Sequence, residues 1–139
     1  MKGKTITEMQ VGDNASCSLT ITEAQIALFA GVTGDFNPVH LDDEYAKASF
    51  FKARISHGML VGSLFSAVLA NQLPGNGTIY LGQDFRFLKP AYIGDTITAT
   101  VTVKELIMEK NRVLLDTIAT NQNGDVVISG VATVMPPKE

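Results

Sequence analysis

Between residues 33 and 43 the chain reads "TGDFNPVHLDD", which sets an aspartate, Asp35, five positions before a histidine, His40, around an Asn37-Pro38 step. An imidazole is well suited to accept a proton near neutral pH, and a carboxylate beside it can orient or return that proton. Pro38 fixes its own φ and drives Asn37 towards an extended backbone, so a stiff turn would hold the two groups at a reproducible separation. Sharing one water as general base and acid is the chemistry this spacing permits. The same residues also suit an ordinary polar turn, in which Asp35 caps, Asn37 makes an Asx bond and His40 sits on the surface. Spacing alone leaves both readings open.

The only other histidine is His57, in "SHGML". Gly58 after it would let a ligand come close to the first unpaired amides of a helix, where developing negative charge such as an enolate oxyanion is stabilised. Close packing of the helix entrance is the other use for Gly58, and an N-terminal cap is the reading favoured for His57. Asp35, His40, Asp42 and Asp43 could in principle ligate a metal, but Asp42 and Asp43 suit a helix start and no second histidine lies at ligand spacing. No metal is expected. Cys17 has no basic neighbour in sequence and reads as a buried, inert thiol. Nucleophile-elbow, Walker and dinucleotide motifs are absent, so no cofactor is expected.

The elements that would carry these residues can be read from periodicity. "SCSLTI" (16–21) alternates as a strand does, and "TEAQ" (22–25) forms a capping box from which Ile26, Phe29, Ala30 and Thr33 mark one face of a helix. Asp42 is expected to cap a second short helix. The run 56–75 is expected to be the longest helix, apolar nearly all round except at Gly62, Ser63, Ser66 and Ala67, and therefore wrapped on most sides. Beyond Pro74 the period becomes two, with strands expected over 78–88, 95–108, 112–121 and 126–135 and a tight hairpin at Asn123-Gly124. The tail "MPPKE" is expected to fray. An antiparallel sheet curled around one helix, class α+β, is the architecture implied.

Bulk properties bound the rest. A chain of 139 residues with 45% hydrophobic content fits one domain over 1–139. A formal charge of −3 with no basic run argues against nucleic acid and membrane-surface partners. The N-terminus lacks the apolar core of a secretory signal and Cys17 has no partner for a disulfide, so a cytoplasmic location is expected.

"GDFNPVHLDDEYA" (34–46) and the stretch 55–103, from "ISHGMLVGSLF" to "DTITATVTV", closely resemble the short (R)-specific enoyl-CoA hydratases of the MaoC-like hot-dog group. The resemblance covers nearly the whole chain. It implies a hot-dog fold, a homodimer joined through the sheets, and hydration of a trans-2-enoyl-CoA to an (R)-3-hydroxyacyl-CoA with no cofactor beyond the coenzyme A of the substrate. By position it implies Asp35 and His40 as the catalytic pair, the Gly58 N–H as oxyanion donor, and Ser66 near the catalytic water. Arg86, Lys89, Lys52 and Arg54 are candidates for the coenzyme A phosphates, and Leu64, Val68 and Leu69 for the acyl pocket. Thioesterases and acyl-carrier-protein dehydratases of similar fold are the competing enzymes, but the helix after His57 carries no acid through Leu73. A silent acyl-CoA-binding domain would not need Asp35, His40 and Gly58 together.

Overall fold

The period-two half of the chain becomes an antiparallel sheet. In the computed structural model, which describes residues 1–138, strands β1 (Asn14–Thr20), β2 (Ile79–Gln83), β3 (Arg86–Phe87), β4 (Thr96–Ile107), β5 (Arg112–Thr120) and β6 (Val126–Met135) are ordered β1-β4-β5-β6-β2, with β3 also on β6. Alternation puts Ile97, Ala99, Val101 and Val103 of β4 and Val113, Leu115 and Ala119 of β5 on one buried face. Against that face lie Val61, Phe65, Val68 and Leu69 of the central helix. A sheet curled around a helix is the hot-dog arrangement expected above.

Five helices, α1 (Glu23–Thr33), α2 (Pro38–Leu41), α3 (Asp43–Ala48), α4 (Gly58–Gly62) and α5 (Leu64–Asn71), precede the long strands. The α1 capping box forms as its sequence dictates: Thr22 Oγ1 accepts from the Gln25 N–H at 3.4 Å and Gln25 Oε1 from the Thr22 N–H at 2.9 Å. Asp42 caps α3 by accepting from the N–H groups of Glu44 and Tyr45. The β5–β6 hairpin closes at Asn121–Gly124, where the Gly124 N–H donates to the Asn121 carbonyl and Gly124 takes φ +79°.

The structure corrects four details. The central helix is interrupted at Ser63, because the Ser63 hydroxyl donates to the Leu60 carbonyl and the Ser66 N–H to the Ser63 carbonyl, tightening one turn between α4 and α5. It is also bare along Ser63, Ser66, Ala67 and Ala70 rather than wrapped on most sides. The strand expected over 78–88 splits at Asp84, whose carbonyl crowds Gly130 of β6 so closely that a Cβ there would collide with it. The tail does not fray through Pro136, which is buried and accepts from Asn111 Nδ2 at 3.0 Å; Glu139 lies outside the described residues.

Candidate active site

The turn at 33–43 makes the Asx bonds of a polar turn, but His40 is buried rather than on the surface and its ring lies beside Asp35. Gly34, at φ +80°, ends α1, a conformation glycine adopts without strain. Asp35 Oδ1 then accepts from the Asn37 N–H at 3.2 Å, and Asn37 Oδ1 accepts from the Val39 N–H at 3.2 Å, so that Pro38 opens α2 at its first position. One carboxylate oxygen therefore builds the turn. The other, Oδ2, faces His40 Nε2 at 4.0 Å. That distance is too long for a direct hydrogen bond and short enough for one water to bond both groups.

His40 is buried while the Asp35 side chain is 48% exposed, so the pair spans the boundary between core and solvent. The Ile55 carbonyl, 2.8 Å from His40 Nδ1, accepts that N–H and leaves Nε2 with a lone pair aimed towards Asp35. Burial, the largest influence, and the neighbouring His57 push the His40 pKa below the ordinary histidine value, although the Ile55 carbonyl and Asp35 pull the other way. The imidazole is thus held as a base at neutral pH.

His57 is not the capping side chain expected from sequence. It occupies the cap position of α4 without a capping bond; its ring instead stacks on His40, with centroids 4.0 Å apart and planes at 30°. Phe29 packs on the same His57 ring at a tilt, with centroids 4.8 Å apart, and His57 Nε2 lies 3.1 Å from the Asp35 backbone carbonyl. Asp35, His40 and His57 do bring three possible metal donors within 4.8 Å of one another. Of their nitrogens, however, His57 Nε2 is engaged by the Asp35 carbonyl and His40 Nδ1 by the Ile55 carbonyl.

A cavity of about 530 Å³ opens beside these groups, bordered by Asp35, His40, His57 and Gly58 and by an apolar wall that includes Phe51, Ile55, Val61, Phe87 and Ile128. Gly58 begins α4, where a helix leaves its first amides without internal partners. A side chain at Gly58 would run into the Phe87 ring, its Cβ only 2.7 Å from Cε1. Lys89 borders the cavity and pairs with Asp125 at 3.5 Å. Arg86 and Lys52 are exposed away from the cavity wall. Arg54 is not available for a phosphate: it is buried, with bonds to Glu23 and to the His40 carbonyl and a third contact to Asp43. Val68 and Leu69 are buried in the core and Leu64 packs against it, so none of the three borders this cavity. Ser66 lies eight residues beyond Gly58, about 12 Å along the helix, in a separate groove with Ser63, Tyr80 and Gln83.

The MaoC like domain matches residues 6–124 of the chain. The chain belongs to the MaoC-like family. This MaoC-like chain is 49% identical over 130 residues to an (R)-specific enoyl-CoA hydratase of Rhodospirillum rubrum, covering 94% of this chain and 90% of that one. Among solved structures, an unliganded R-hydratase from Pseudomonas aeruginosa shares 47% identity with a TM-score of 0.93, covering 99% of this chain and 88% of that one. An (R)-hydratase from Aeromonas caviae, described as involved in PHA biosynthesis, shares 43% with a TM-score of 0.91 over 93% and 98%. The MaoC-like fold therefore extends across the chain, and with it the α+β hot-dog class.

Proposed function

We infer that this MaoC-like protein is an (R)-specific enoyl-CoA hydratase, a hydro-lyase that adds water reversibly to trans-2-enoyl-CoA to give (R)-3-hydroxyacyl-CoA. The observation that carries the reading is the His40 Nε2 lone pair facing Asp35 Oδ2 across 4.0 Å. A water in that gap gives a proton to His40 Nε2 as its oxygen bonds to C3, and the imidazolium so formed passes that proton to C2 on the same face, leaving His40 neutral again. Between these events negative charge collects on the thioester oxygen, which the Gly58 N–H receives at the start of α4. Asp35 acts as an anion that orients and balances charge beside the imidazole.

Short enoyl chains such as crotonyl-CoA are the substrates we assign, with the apolar cavity wall taking the apolar parts of the thioester. Lys89, the one of the four sequence-nominated cations at the cavity, is our choice for a coenzyme A phosphate. We also propose a homodimer. Its support is the edge strand β2, which exposes Ile79, Tyr80 and Leu81, an apolar edge of the kind that pairs with another strand. Ser66 is exposed on the central helix, and its separation from Gly58 means that a role beside the water would fall to the Ser66 of a second copy. Supply of hydroxyacyl units to a storage polyester, in the cytoplasm, is the setting we favour by likeness to the Aeromonas caviae protein.

The test is loss of the conjugated enoyl thioester absorbance on mixing with crotonyl-CoA, followed by oxidation of the product with (R)- and (S)-specific 3-hydroxyacyl-CoA dehydrogenases. Rapid loss with product accepted only by the (R)-specific enzyme supports the reading. Release of free thiol without hydration would place the protein with the thioesterases instead.

A further inference from the structure

We propose that His57 is a positioning residue for the hydration assigned above, holding Asp35 and His40 at the separation that one water can bridge. The inference rests on that reading of the site. His57 is 2% exposed and touches both members of the pair at once: its ring lies against the His40 ring, and its Nε2–H donates to the backbone carbonyl of Asp35. Its own carbonyl accepts from the Val61 N–H and from Ser56 Oγ at the entrance to α4, one residue before Gly58. A single residue thereby ties the acid-base pair to the amide that faces the thioester oxygen.

The choice of histidine at this position is not explained by packing. Because Nε2 donates, Nδ1 carries the lone pair, and that nitrogen is buried with no hydrogen-bond partner among the described residues. A phenylalanine would fill the same slot against Phe29 and His40 and leave no orphaned atom. Only the bond from Nε2 to Asp35 separates the two. Losing it frees the Asp35 carbonyl, and with it the turn whose Oδ2 faces His40.

His57→Phe keeps the stack and removes the bond, whereas His57→Gln returns an amide N–H near the Nε2 position. For crotonyl-CoA hydration we expect His57→Phe to lower kcat about 10- to 100-fold with KM within about twofold, the signature of misplaced reacting groups, and His57→Gln to recover most of that loss. A second reading needs no turnover. His40 is the sole histidine in either variant, so its ring protons can be titrated directly by NMR. The groups facing it are Asp35, His57, and Arg54, whose Nε–H donates to the His40 carbonyl while Glu23 and Asp43 balance its charge; Lys89 on the cavity wall is paired with Asp125. With the bond to the Asp35 carbonyl gone in His57→Phe, the Asp35 carboxylate no longer sits beside His40, so the His40 midpoint should fall, and the acidic limb of kcat/KM with it, while His57→Gln should keep both closer to the wild type. Wild-type kcat in His57→Phe, or an unmoved His40 titration there, overturns the proposal. If His57→Phe does not fold, the same titration in His57→Leu, which also lacks the donor, decides between these outcomes. Should the wild type itself fail to hydrate any enoyl thioester, the hydratase reading falls while the titration still reports whether His57 sets His40.

Discussion

Two polar clusters, each anchored on a buried side chain, meet at His40, and they are built on opposite principles. On the backbone side, Arg54 is fully engaged: its guanidinium reaches Glu23 at 2.6 Å and Asp43 at 3.6 Å, and its Nε–H donates to the His40 carbonyl at 2.8 Å. On the ring side, His40 Nε2 stands 4.0 Å from Asp35, and His57 Nδ1 has no partner among the described residues. Burying a polar group without a partner costs free energy, so satisfied clusters are scaffold and an incomplete one asks for a ligand. The incomplete cluster is the one that borders the cavity. Arg54 fixes where the His40 backbone sits, and the unsatisfied edge of the ring is where we propose the chemistry takes place.

That contrast can be broken from either side. The largest effect is expected from His40→Gln, which removes the proton acceptor: turnover of crotonyl-CoA should fall by ~10²–10⁴-fold while the urea midpoint moves little, since the change touches reaction more than packing. Arg54→Met should do the reverse. Leaving the His40 carbonyl without its donor is expected to cost about 1–3 kcal/mol of stability, measured by urea unfolding, with a smaller loss in kcat than His40→Gln produces. A gentler probe is pH. The folded-state pKa of His40 is depressed, so its neutral, proton-accepting form persists below the ordinary histidine value of about 6.5. The acidic limb of kcat/KM should therefore lie below that value. By linkage, the stability held by neutral His40 is complete above about 6.5 and is lost as pH falls through the depressed folded value. Both limbs can be followed in one buffer series, by rate and by unfolding temperature.

Much of the scaffold was legible because it depends on neighbours in sequence. The Thr22 capping box, the Asp42 cap and the alternation of β4 and β5 are each decided within a few residues, and each forms as read. The Asp35-to-His40 turn was legible for the same reason. What could not be read depends on partners distant in the chain. His57 looked like a cap because nothing local announces a ring stacked on His40. Arg54 looked like a free cation because Glu23, its tightest partner, lies on another helix. A helix apolar nearly all round does not disclose which face borders a cavity, and nothing local shows that Leu64, Val68 and Leu69 lie off this one. The small signal that could have found His57 is its place directly before Gly58, which puts any side chain there at the mouth of whatever binds the α4 amides.

Asp35→Asn offers the most direct measurement, because it splits the two jobs of one carboxylate. Asparagine keeps an oxygen to accept from the Asn37 N–H, so the turn should survive, and it removes the charged oxygen that faces His40. We predict a loss of ~10²–10⁴-fold in kcat for crotonyl-CoA with an unfolding temperature close to that of the wild type. Turnover near the wild-type rate would contradict the account, since the water would then need no carboxylate beside His40.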